Sequence, residues 1–177
     1  MRMSTDEFMK QQYLTLRTEI NDSTSRIFKL LVIGMLLVLA SGYLASASSA
    51  SLANAAIPFM LLAIMIAFIN EQNNISRAGK YLREVVEPTI PDVTGWEHWL
   101  SSKSEYREAD RAYFVSFSVF FLIFYAISAS LALAYLGKEA EVSTNYLFFW
   151  STAIAYALSA FCVLVVLVRH WRSSAIL

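Results

Sequence analysis

The sequence predicts an all-α, polytopic membrane protein: a four-transmembrane-helix antiparallel bundle with helices extended into the cytoplasm. Three observations carry that expectation. The chain is 57% hydrophobic and only 16% charged, where a soluble domain carries about 25% charged residues. Its apolar residues gather into four long runs separated by charge-rich segments. Of its 14 Lys and Arg, only Lys138 falls on the opposite side from the two ends and the middle segment, Lys29 standing at the N-terminal edge of the first run, and positive charge stays in the cytoplasm. Both termini and the middle segment are therefore expected on the cytoplasmic side.

Each element follows from local signals. Residues 1–26 read as a cytoplasmic amphipathic helix. Ser4 and Glu7 form a capping box with Asp6 beside them, and Met9, Tyr13, Leu16, Ile20 and Ile27 recur at helical spacing on one face. Gly and Pro are absent before Gly34, so this helix is expected to continue into the first span, 27–47. The second span is 51–70, with Pro58 in its early turns, where a missing N–H costs least. Each run supplies the roughly 20 residues that cross about 30 Å of hydrocarbon. Strands are excluded because an open sheet edge in lipid leaves backbone groups unpaired.

Residues 71–111 read as a cytoplasmic helical hairpin turning near 88–94. Ile75, Ala78, Leu82 and Val85 keep helical spacing, with Arg77, Lys80 and Arg83 on the opposite face. Pro88 and Pro91 stop that helix. Thr94-x-x-Glu97, another capping box, starts a second one leading into the third span, 112–136. Trp96, Trp99, Leu100, Tyr106 and Tyr113 share one side of it. Outer turns at 48–53 and 137–145 are short enough to force antiparallel neighbours. The fourth span, 145–168, precedes a cytoplasmic tail, 169–177. The 26 polar-rich residues before the first span do not read as a signal peptide. Cys162, the single cysteine, is expected to be a small buried side chain.

The stretch EVVEPTIPDVTGWEHWL raises the question of catalysis. Glu84, Glu87, Asp92, Glu97 and His98 are acid–base types, but Glu97 and Thr94 have a capping task and Glu84 and Glu87 suit a solvated helix end. His98 and His170 lack metal-ligand spacing. No Gly-rich phosphate loop or nucleophile elbow is present, and the spans lack the ionisable groups that mark coupled transport. The sequence therefore predicts neither an enzyme, nor a cofactor, nor a metal site. Two other patterns remain. Small residues recur every fourth position at Ala126, Ser130 and Ala134, and at Ser151, Ala155 and Ser159, with Ala56, Ala63 and Ala67 near one face of the second span. Such rows let helices approach closely in lipid or line a narrow pore. Lys103, Arg107 and Arg111 form an i, i+4, i+8 row that, with Arg77, Lys80 and Arg83, makes a candidate anion-sensing set; juxtamembrane bases also bind anionic lipid.

Three motifs, Tyr13-x-x-Leu16-Arg17-x-Glu19-Ile20, Tyr81-Leu82-Arg83-x-x-x-Glu87-Pro88 and Gly95-Trp96-Glu97, resemble those of a loose group of uncharacterised bacterial four-transmembrane-helix proteins. They touch about a fifth of the chain, and no activity carries over. The resemblance implies the bacterial inner (plasma) membrane. By architecture alone the chain is similar to membrane effectors of anti-phage systems. The leading expectation is a homo-oligomeric pore or ion channel in the lipid bilayer, serving antiviral defence and gated by a nucleotide or oligonucleotide at the cytoplasmic helices. Duplex DNA binding is not expected. The alternative is a non-conducting interaction subunit that recruits a soluble cytoplasmic partner through Trp96, Trp99, Tyr13 and Leu16.

Overall fold

A computed structural model describes residues 5–46, 51–89 and 95–174, with side chains placed for most of them. The described residues are helical and contain no strand. Helix α1 spans Thr5–Ser46 and α2 Ser51–Tyr81. A widened π turn, Leu82–Val86, and one 3-10 turn, Glu87–Thr89, extend α2. A short helix α3, Trp96–Ser102, precedes α4, Ser104–Ser143, and α5, Leu147–Ser174. Four of these helices, α1, α2, α4 and α5, are long and apolar enough to cross a membrane. The capping boxes at Ser4 and Thr94 fall wholly or partly outside the described residues, as do Pro91 and Asp92.

The chain forms two compact units. One comprises residues 1–29 and 68–117, the other 30–67 and 118–177. The second unit is built around α2. Of its most apolar window 56% is buried, against 17% for α1 and 22% for α5. Leu61, Leu62, Met65 and Pro58 are enclosed there. Helix α1 offers a single narrow stripe, Ile27, Gly34 and Ser41, one residue per heptad. Phe28, Leu36, Leu39 and Tyr43 point outward. Helix α5 likewise exposes Ile154, Leu158 and Phe161. Apolar faces this continuous are rare on soluble proteins.

Four local features differ from the sequence reading, each for a physical reason. Pro58 sits inside α2 and is buried, not in a fraying first turn. Val86, rather than Val85, takes the buried position after Ala78 and Leu82, because the i→i+5 pitch of the π turn advances the inward face by one residue. The helix expected to run from residue 94 into the third span breaks at Lys103, whose backbone is extended (φ −96°, ψ 109°). There the Ser101 and Ser102 hydroxyls bond back to the carbonyls of His98 and Trp99 at 2.9 and 2.6 Å, the local competition that weakens serine in helices. Helix α4 continues past 136 because Leu136 and Ala140 keep its buried face and Lys138–Glu141 are good helix formers. The outer turn shrinks to three residues, with Thr144 left-handed (φ 54°) and Asn145 Oδ1 accepting the Leu147 N–H at 3.1 Å.

Candidate functional site: a clamp of three segments

The described residues of the stretch EVVEPTIPDVTGWEHWL take part in a clamp within the first unit. Helix α3 begins at Gly95, which has no side chain to cap it. Its first free N–H groups, those of Glu97 and His98, donate instead to the two carboxylate oxygens of Glu87, at 2.7 and 2.8 Å. A residue ten positions away thus does what an N-cap side chain normally does, with the added strength of a charged acceptor. Glu87 is buried, 5% exposed, so it is not the solvated helix end that the sequence suggested. Gly95 has a matching reason: a Cβ there would overlap the Glu87 carboxylate.

Glu97, relieved of the capping task assigned to it from sequence, turns to α1. Its carboxylate meets the Arg17 guanidinium at 2.8 Å. Arg17 also donates to the Tyr13 hydroxyl at 3.3 Å and lies 5.5 Å from the Tyr13 ring centre, within cation–π range. On its far side Glu97 packs on Gly79, where a Cβ would stand 3.1 Å from Oε2. Burial raises the Glu97 pKa; Arg17 opposes that, Glu87 reinforces it, and Arg83 opposes it. Two further ties join α1 to α2. Gln12 donates to the Tyr81 hydroxyl at 2.9 Å, and Arg26 grips Glu71 with two bonds of 2.8 and 2.9 Å while reaching Ser23 at 2.8 Å. All three motifs that carried the resemblance meet in this clamp.

The other candidates fall as follows. Tyr13 and Leu16 are half-buried, Tyr13 under Arg17 and Leu16 lining a recess of about 360 Å³ with Glu19, Asn74, Arg77, Ala78 and Tyr81. The N-terminal stripe is therefore occupied by the chain itself. Trp96 and Trp99 stay outside, 52% and 36% exposed, and form a ladder with Tyr106 at ring spacings of 5.2 and 5.6 Å. Arg77 bonds to Asn74 Oδ1 at 2.5 Å, Lys80 is exposed, and Arg83 pairs with Glu84 at 3.4 Å. Because Lys103 lies in the extended link, it is not in helical register with Arg107 and Arg111, so the expected three-residue row does not form. Arg111 has interactions of its own, and the Arg107 side chain is outside the described set. Glu84 and His98 are exposed.

Ala126, Ser130 and Ala134 face outward from α4. Ser151 is exposed, with Ala155 and Ser159 half-buried beside it; Ala56 and Ala63 are exposed and Ala67 half-buried. Cys162 is exposed, not buried. The inward face of α4 holds Phe121, Tyr125, Ser128, Ala129, Ala132 and Leu136. Sequence reading passed over its main polar ties: Tyr125 donates to the Tyr156 carbonyl at 2.8 Å, and Tyr156 to the Ala55 carbonyl at 2.7 Å. No family model, curated protein or solved structure matches the chain.

Proposed function

We propose that the chain is a four-span membrane protein, with both termini and the 71–111 hairpin in the cytoplasm of a bacterial inner membrane, whose copies assemble into an ion-conducting pore gated at the clamp. One observation carries this reading. The row Ala126, Ser130, Ala134 is uncovered on α4, although small-residue rows in lipid are the surfaces on which helices meet. The interior of a protomer is filled with Phe121, Tyr125, Leu61 and Met65, so a water path belongs between copies. Arg77, Lys80 and Lys103 are the residues a nucleotide or oligonucleotide would meet first. A role in antiviral defence would follow the layout alone.

Native mass measurement in nanodiscs tests the assembly: several copies per particle are expected, falling to one in Ser130→Leu. A wild-type protein that is monomeric at every concentration would end the proposal.

The exposed Trp96–Trp99–Tyr106 ladder favours a second reading, a non-conducting subunit that recruits a soluble protein. Arg17, which holds α3, lies ten residues before Ile27, about 15 Å along the helix. This reading expects the ladder to stand clear of headgroups that reach only about 5–7 Å beyond the hydrocarbon. On this reading Trp99→Ala abolishes pull-down of the partner while conductance never appears.

A further inference from the structure

Two demands meet at the end of α2. Regular helical spacing carries the inward face from Ala78 to Leu82 and on toward Val85 and Val86, whereas the clamp needs Glu87 on that face. In regular α winding, about 100° per residue, Glu87 would stand roughly 140° away from Leu82 and point off the buried side. The π turn removes the conflict. The Glu87 N–H reaches back five residues to the Leu82 carbonyl, which brings the two residues into line. Leu82 and Glu87 are both buried, 0% and 5% exposed. So aligned, the Glu87 carboxylate accepts the Glu97 and His98 N–H groups.

Pro88 helps to keep the turn widened. In a regular helix it has no N–H for the Glu84 carbonyl, four residues back, and its ring would collide with that carbonyl. Proline alone does not widen a helix here, since α2 runs past Pro58 without a π turn. The capped α3 is the other half of the cause. Val85 and Val86 make the reverse move cheap in apolar surface. They are 42% and 1% exposed. Winding back to α pitch would set them about 60° and 40° to either side of Leu82, one valine gaining cover as the other loses it.

We propose that the π turn is a register latch on the clamp. Widened, it aims Glu87 at α3 and keeps that helix docked. Wound back by one residue, it turns Glu87 away, and α3 loses its cap. The release reaches further, because α3 carries Glu97, the partner of Arg17 on α1, and the stacked Trp96 and Trp99 of the exposed ladder. One rotation therefore undoes the hold on α1 and lets the two tryptophans move away together. Pro88 sets how rarely this happens. The latch belongs to the clamp alone and stands whether the chain conducts or recruits a partner.

The test is hydrogen exchange at the Glu97 and His98 amides of the full chain in nanodiscs, which reads the rare unlatched state without requiring it to dominate. Pro88→Ala removes the obstacle to regular winding. Both amides should then exchange at least about tenfold faster, while amides beside the Arg26–Glu71 pair keep their rates. Deleting Val85 in the same variant is the rescue. Glu87 then follows Leu82 by four residues, ordinary α winding aims it at α3, and wild-type protection should return. A helix weakened for any other reason gains nothing from the deletion. Unchanged or slower exchange in Pro88→Ala overturns the latch, as does fast exchange that persists after Val85 is removed.

Discussion

The two units are tied by different chemistry although the same helices run through both. The first is held by charge: Glu87 on the N-terminus of α3, Arg17 on Glu97 and Arg26 on Glu71. The second is held by neutral contacts, with tyrosine hydroxyls on carbonyls and a ring against a glycine. An ion pair taken out of water loses hydration that its Coulomb attraction rarely restores, so charged ties belong where solvent is near. A hydroxyl on a carbonyl costs far less to bury.

The comparison is broken most severely at Glu87. Replacing it with Ala strands two N–H groups at the start of α3 and should cost about 2–4 kcal/mol, seen as early unfolding of the Trp96/Trp99 fluorescence. In the second unit the largest effect belongs to Gly34→Leu, which must displace the Phe121 ring and should cost about 1–3 kcal/mol, read as a lower melting midpoint. Next comes a matched pair. Arg17→Met and Tyr156→Phe should each cost on the order of 1 kcal/mol. Raising salt should shrink the first cost and leave the second untouched; equal salt dependence would erase the distinction between the units.

The smallest effect sharpens it. Burial holds the Glu97 pKa above its ordinary value, so the folded chain binds that proton more tightly than the unfolded one. Its contribution to stability is complete below the unfolded carboxyl pKa and is lost as pH rises through the folded value. Glu97→Gln should flatten that part of a stability–pH curve and change little at low pH.

Four helices long and apolar enough to cross a membrane were legible in the sequence because run length and hydrophobicity are local. The turn expected near 88–94 from Pro88 and Pro91 lies mostly outside the described residues. The clamp was not legible, because its pairs are 80 residues apart for Arg17 and Glu97 and 45 for Arg26 and Glu71. Thr94-x-x-Glu97 points to a local cap whose Thr94 lies outside the described residues, while the Glu97 N–H donates to the distant Glu87 carboxylate. Only the lone Gly95 hinted at that, as a place where something comes close to the backbone. The α3–α4 break was signalled by Ser101, Ser102 and Ser104 around Lys103 but outweighed by the aromatic spacing across it.

The most direct test of the pore is conductance of the purified, folded protein in a planar bilayer, with and without short oligonucleotides and cyclic nucleotides. The proposal predicts discrete current steps that disappear in Ser130→Leu and whose frequency changes when Arg17→Met opens the clamp. Silence from a preparation shown to be folded and oligomeric would contradict it and leave the recruiting subunit as the better account.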